Sequence, residues 1–223
     1  MRRLCLITVA ILMTSAAAAA QDDDRVFAGV LVGVSTLSAD GRSVTSPPDA
    51  MISLYKPENG AALDLFAGFH VQRFFSLQGN YMWNRNDLTL VSSFLTPQGG
   101  GFYEQQRRSA QHVLVGDALI YFRRLGSGIR PYLGTGICLV RFASSSVVRS
   151  VSSNLPAPAG DITATRVALR SHVGIDFVLS RRMSFRYSFS ETISGNPISP
   201  HLTPPGKRGL ANFQNLFGIL VRF

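Results

Sequence analysis

The sequence predicts an all-β protein, an eight-stranded antiparallel up-and-down transmembrane β-barrel. Three observations carry that expectation. The chain opens with an export signal, eight segments of about ten residues alternate an apolar face with a polar one, and the connections between them run alternately long and short.

Arg2 and Arg3 form a positive n-region, Leu4 to Met13 an apolar core, and Ala18-Ala19-Ala20 before Gln21 a small-residue cleavage site. The core is ten residues long, whereas a helical membrane span needs about 20. Residues 1–20 are therefore expected to be a cleaved signal peptide, and residues 21–223 a single barrel domain. Beyond the signal the longest apolar run is Val26 to Val34. An exported chain of this kind floats free or crosses a membrane as strands.

The first segment, Val26 to Leu37, sets Val26, Ala28, Val30, Val32 and Val34 against Gly29, Gly33 and Ser35. A long polar connection, Ser38 to Asn59, follows. In the second segment Ala61, Leu63, Leu65, Ala67, Phe69 and Val71 oppose Asp64, Gly68, His70 and Gln72, and a one-residue slip would put Asp64 into lipid. Arg73-Phe74 turns into a third, with Phe75, Leu77, Gly79, Tyr81 and Trp83 opposite Ser76, Gln78, Asn80 and Asn84. Asn86 to Gln106, containing Pro97 and Gly99-Gly100-Gly101, reads as a loop.

The fourth segment, Arg108 to Phe122, points Leu114, Gly116, Ala118 and Ile120 outward, with His112 near the rim, and Ser109, Gln111 and Asp117 inward. The fifth, from Arg130, alternates Leu133, Thr135, Ile137 and Leu139 with Tyr132, Gly134, Gly136 and Cys138. Ala143 to Thr163 reads as a Ser/Pro-rich loop. In the sixth, Val167, Leu169, Val173, Ile175 and Phe177 oppose Arg166, Arg170, His172, Gly174 and Asp176. Arg181-Arg182 turns into the seventh, with Phe185, Tyr187 and Phe189 opposite Ser184, Arg186, Ser188 and Ser190. A proline-dense connection, Gly195 to Gly209, leads to the closing strand, Leu210 to Phe223.

Alternation alone does not say which face is inside, since a soluble barrel also alternates. The polar face, however, is rich in glycine and small residues, as a crowded lumen requires. Large aromatics dominate the other face and gather toward two rims, with Tyr81, Trp83, Phe189 and Phe213 at one and Phe75, Phe122, Phe177, Phe185 and Phe223 at the other. The apolar face is thus expected to meet lipid, with short turns and both termini in the periplasm. Loss of Arg2 and Arg3 leaves 20 basic residues against 13 acidic. In an exported chain this charge suits an anionic membrane surface rather than nucleic acid. Only Cys138 remains after cleavage, which excludes a disulfide scaffold.

With an export signal, eight alternating segments, long outer loops and a terminal Phe, the chain resembles the small outer-membrane barrels of Gram-negative bacteria, of the OmpA, OmpX and opacity-protein type. The resemblance spans Val26 to Phe223, and Phe217, Ile219, Val221 and Phe223 match the C-terminal signal read by the family's barrel-assembly machinery. Asn215 departs from it, a polar residue on the lipid-facing side. The resemblance implies a monomer in the outer membrane. It also implies a structural or adhesion-like role through the external loops toward an extracellular partner, with a narrow porin-like channel as the alternative. Some such barrels modify lipid, but the His-x-Ser-Asn signature of the deacylases is missing, as is G-x-S-x-G. No catalytic residue and no enzyme are expected.

Inside, Asp64, Asp117, Arg166, Arg170, Asp176 and Arg186 are expected to form a charge network filling the lumen, because buried charges must pair. Arg170, Asp176 and Arg186 are expected to meet. Arg107, Arg108, Arg141, Arg149, Lys207 and Arg208 fall in or near the outer loops, where lipopolysaccharide phosphates are natural counterions. His70, His112, His172 and His201 are scattered and Cys138 stands alone, so no metal site or cofactor is expected.

Overall fold

The computed structural model describes residues 25–152 and 160–223. The signal peptide expected at residues 1–20 lies outside the described residues. The strands are β1 (Val26–Leu37), β2 (Asp40–Ser46), β3 (Asp49–Pro57), β4 (Gly60–Gln72), β5 (Phe75–Arg85), β6 (Leu88–Thr96), β7 (Gly99–Tyr121), β8 (Ile129–Ser152), β9 (Ile162–Val178), β10 (Met183–Gly195) and β11 (Gly209–Arg222). Eight of them close an antiparallel ring in the order β1, β4, β5, β7, β8, β9, β10, β11, with β11 returning to β1 through a register that joins Phe27 to Arg222 and Leu37 to Asn212. Closure leaves no open edge in the wall, the condition for crossing hydrocarbon as strands.

Three stretches expected as loops are largely strand. Ser38–Asn59 contains the β2–β3 hairpin, Asn86–Gln106 contains β6 and the start of β7, and Ala143–Ser152 extends β8. Pro47-Pro48 and Pro97 punctuate hairpin tips rather than whole loops. Between the tips the alternation persists: Leu88, Leu90 and Ser92 of β6 are buried while Thr89 and Val91 are half-buried. At about 3.3 Å per residue β7 is roughly 75 Å long, more than a tilted strand needs to span lipid, so its first half stands above the membrane. There β2, β3, β6, β7 and β8 form one continuous outer sheet.

The wall is apolar outside and polar inside. Val30, Val32, Leu65, Leu77, Ile137 and Leu169 are exposed, while Asp64, Gln78, Asn80, Gln111, Gln214 and Ser190 are buried. That inverts the order of a water-soluble protein and matches strands that turn lipid-facing residues outward. At one rim Phe189 stacks on Phe213 with ring centroids 6.4 Å apart, and the Tyr81 hydroxyl lies 2.7 Å from His112 Nδ1. At the other, Phe177 and Phe185 pack at 6.2 Å. Asn215 does face outward, and its Oδ1 accepts a 2.9 Å hydrogen bond from the Tyr187 hydroxyl, so the polar group is not left bare in the wall.

Candidate functional site

The lumen is a stack of side-chain layers closed at its outer end by a loop. At the end that bears the short turns Asp176 stands opposite Arg186 on one side and Arg130 on the other. Arg186 grips Asp176 with two hydrogen bonds, Nε to Oδ1 at 2.6 Å and Nη2 to Oδ2 at 2.9 Å, and also donates to Gln78 and the Tyr121 hydroxyl. Its guanidinium carbon lies 4.9 Å from the Phe66 ring centre and 4.8 Å from that of Tyr132. Such planar stacking suits Arg and not Lys. Arg130 lies 3.9 Å over the Tyr121 ring. Below them Arg222 donates to Ser184 and to the Arg181 carbonyl, and His70 Nδ1 meets Ser76 Oγ at 2.6 Å.

One layer up, Arg170 bridges two carboxylates. Nη1 reaches Asp117 Oδ2 at 2.7 Å and Nη2 lies 3.6 Å from Asp64 Oδ2, while Asn80 donates to both oxygens of Asp64. Register explains the contact: Arg170 on β9 and Asp117 on β7 both pair with Gly136 of β8. A Cβ at Gly136 would meet Asp117 itself, so only glycine lets the two side chains pass in front of the intervening strand.

Above the charged layers Ser35, Asn86, Asn212 and Gln111 form an amide network, and Gln214 donates to the Asn84 side-chain carbonyl. Residues 196–208 then fold into the mouth. The 3-10 turn of Ser199–His201 helps bury Ile198 and Leu202 against Leu37, Tyr55, Leu88, Tyr103 and Phe142. Asn196 Oδ1 accepts from the backbone N–H groups of Ile198 and Ser199, and its amide donates to the Tyr55 hydroxyl at 3.2 Å. The Tyr103 hydroxyl donates to the His201 carbonyl, Ser53 to the Pro204 carbonyl, and the Lys207 N–H to Asp40. Burial pushes the Tyr55 and Tyr103 phenols above their usual range, so both stay neutral.

Of the residues expected to line the lumen, Asp64, Asp117, Arg170, Asp176 and Arg186 are buried there and paired. Arg166 is not. It shares their face, yet β10 pairs with β9 only as far as Ala168, so Arg166 emerges beside the bare Cα of Gly195 into solvent and donates to the Thr165 carbonyl. The expected meeting of Arg170 with Asp176 and Arg186 also fails. Six residues separate Arg170 from Asp176 along β9, roughly 20 Å, so Arg170 belongs to the upper layer. Among the outer basic residues Arg108, Arg141, Arg149, Lys207 and Arg208 are exposed, but Arg107 is 1% exposed and cannot be a surface contact. Its guanidinium is held by Gln105, Ser144 and the Gly160 carbonyl. Arg130 escaped the sequence reading, although its alternation with Tyr132 and Gly134 placed it inward. Phe217, Ile219, Val221 and Phe223 lie on the outward face of β11.

The inside-out wall, the closed eight-strand ring and a match over residues 6–211 to the outer membrane protein beta-barrel domain point one way. The chain belongs to the outer membrane protein beta-barrel family. Membership places it in the outer membrane. Solved structures to which the chain is similar include Neisserial surface protein A, at 14% identity over 88% of this chain and 99% of that one, with a TM-score of 0.47. OprG of Pseudomonas aeruginosa is 12% identical over 89% and 96%, also at 0.47. Ail of Yersinia pestis, solved with the heparin analogue sucrose octasulfate, is 9% identical over 89% and 99%, at 0.44. No curated protein matches the chain.

Proposed function

We propose that this barrel is a surface-interaction protein, adhesion-like, whose wall anchors an outer sheet for recognition while its filled lumen conducts nothing. The observation that carries the reading is the pairing of a capped mouth with a built display surface. Among the described residues β2 pairs only with β3, leaving its other edge open, and Gly41–Ser46 are exposed throughout. On the two strands behind that edge, Ile52 of β3 and Leu95 of β6 stand 53% and 64% exposed above the lipid-facing band. An open edge flanked by exposed apolar side chains is a template for strand addition. Arg108 and Arg141 stand on the outer wall, Arg141 in register with His112 beside the Tyr81 and Trp83 girdle, a depth suited to lipopolysaccharide phosphates. The outward Phe217, Ile219, Val221 and Phe223 serve as the assembly signal, and the signal peptide directs export.

The test joins two measurements on one preparation. Refolded protein in planar bilayers should give no steady single-channel conductance. Bacteria displaying the Ile52→Lys/Leu95→Lys variant should adhere to host cells or matrix at the level of cells lacking the protein, whereas the intact barrel adheres. Steady conductance, or adherence indifferent to those two residues, would sink the reading.

A further inference from the structure

Charge is distributed unevenly along the barrel axis. On the extracellular side the basic residues are interspersed with Asp40, Asp49, Glu58, Asp87, Glu104 and Asp161. At the periplasmic end the turns between wall strands are Arg73–Phe74, Phe122–Gly128 and Leu179–Arg182, and Arg25 precedes β1. These segments carry Arg25, Arg73, Arg123, Arg124, Arg181 and Arg182, all exposed, and among the described residues no acidic side chain; Asp22, Asp23 and Asp24 precede Arg25 outside them, so six arginines still outnumber three aspartates at this end. None of the six makes an ion pair among the described residues. The buried charges just above add no surplus acid, since Asp176 answers Arg186 with Arg130 and Arg222 alongside.

Depth is fixed by neighbours. Each arginine lies within three residues of a residue on the lipid-facing rim: Arg73 beside Phe74, Arg123 beside Phe122, Arg182 beside Met183 and near Leu179, while Arg25 leads into the β1 end that binds the Phe223 N–H. Phe74, Phe122, Leu179, Met183 and Phe223 are all exposed. Turns this short do not project into the periplasm, so the guanidinium groups stand in the headgroup layer of the inner leaflet. A guanidinium presents a planar fork of donors to phosphate oxygens, and a cluster of basic groups at a membrane surface binds anionic lipid.

We infer that the periplasmic rim, Arg25, Arg73, Arg123, Arg124, Arg181 and Arg182, is a docking ring for anionic phospholipid headgroups that selects phosphatidylglycerol-type lipids over zwitterionic ones in the inner leaflet. The ring recruits an annulus of anionic lipid on the side opposite the display sheet. It depends on the barrel's membrane topology and is independent of any extracellular partner.

The experiment is lipid selectivity by spin-label spectroscopy. The barrel, refolded in phosphatidylcholine bilayers, is probed with trace spin-labelled phosphatidylglycerol and, separately, spin-labelled phosphatidylcholine. The intact protein should immobilise phosphatidylglycerol at least about twofold more strongly, and the preference should fall as salt is raised. Replacing the six arginines by Gln should bring the ratio down toward one, while Arg149→Gln/Arg208→Gln, above the lipid-facing band, leaves it intact. Should the sixfold variant fail to show the folded band on unheated gels, Arg123→Gln/Arg124→Gln and Arg181→Gln/Arg182→Gln each must lower it. Neutralising Asp22, Asp23 and Asp24, which precede Arg25 outside the described residues, should leave or raise the selectivity. No preference in the intact protein, an unaltered preference in the rim variants, or loss in the extracellular variant overturns the inference. So does inorganic phosphate that displaces the label more than sodium chloride of equal ionic strength, which would mark a free-anion site.

Discussion

Removing the Asp176 carboxylate is the sharpest test of how the lumen is held. Both partners of the Asp176–Arg186 pair are 1% exposed. Breaking such a pair strands a buried charge, at about 3–5 kcal/mol, whereas replacing both partners by apolar residues is often neutral. In Asp176→Ala, Arg186 keeps its hydrogen bonds to Gln78 and Tyr121, which moderates the loss. Arg130, also in register with Asp176, loses the carboxylate opposite it, which deepens it. The expected destabilisation is therefore about 3–5 kcal/mol, a fall of roughly two to four decades in the folded-to-unfolded ratio. Urea titration of the barrel in lipid vesicles, followed by tryptophan fluorescence, reads it directly, since Trp83 is the chain's one tryptophan. Asp176→Leu/Arg186→Met should recover most of the loss. A single-mutant change under about 1 kcal/mol would refute the view that this pair organises the lower lumen.

Two further outcomes follow from the outer half. Arg107→Ala should destabilise the barrel by about 2–4 kcal/mol, because it empties a buried site lined by Gln105, Ser144 and the Gly160 carbonyl, while the neighbouring Arg108→Ala changes stability by less than about 0.5 kcal/mol; the same urea titration compares them. Ile198→Asp should release residues 196–208 from the mouth by placing a carboxylate in the cluster of Leu37, Tyr55 and Phe142, seen as protease cleavage within that segment where the intact barrel resists.

Much of the wall was legible because a barrel strand imposes a strict period of two. Asp64, Asp117, Asp176, Arg170 and Arg186 declare their side through neighbours two residues away, and no tertiary contact overrides that. Pairing was less legible. Which carboxylate Arg170 takes depends on the stagger between β7, β8 and β9 and on Gly136 standing between them. Adjacency of strands is written in the order of segments, but stagger is not. The outer sheet was hidden for another reason: prolines at hairpin tips carry the same local signal as prolines within loops. Arg107 was lost with it, although it continues the inward alternation of Ser109 and Gln111. Arg166 obeys the alternation and still lies outside, because its fate is set by where β10 stops.

Because the outer hairpins carry on from wall strands rather than being appended loops, their height above the barrel wall is quantised. Inserting two residues into each arm of a hairpin lifts its tip by roughly 6.6 Å along the strand and keeps every face where it was. A single-residue insertion turns the faces over, putting the cap-facing side chains of β3 and β6 into solvent. Length variation among naturally occurring forms, and peptides grafted by design, should therefore be tolerated in even steps along the arms and freely only at the Pro47-Pro48 and Pro97-Gln98 tips. The molecule is in this sense a ruler whose graduations are set by the pleat.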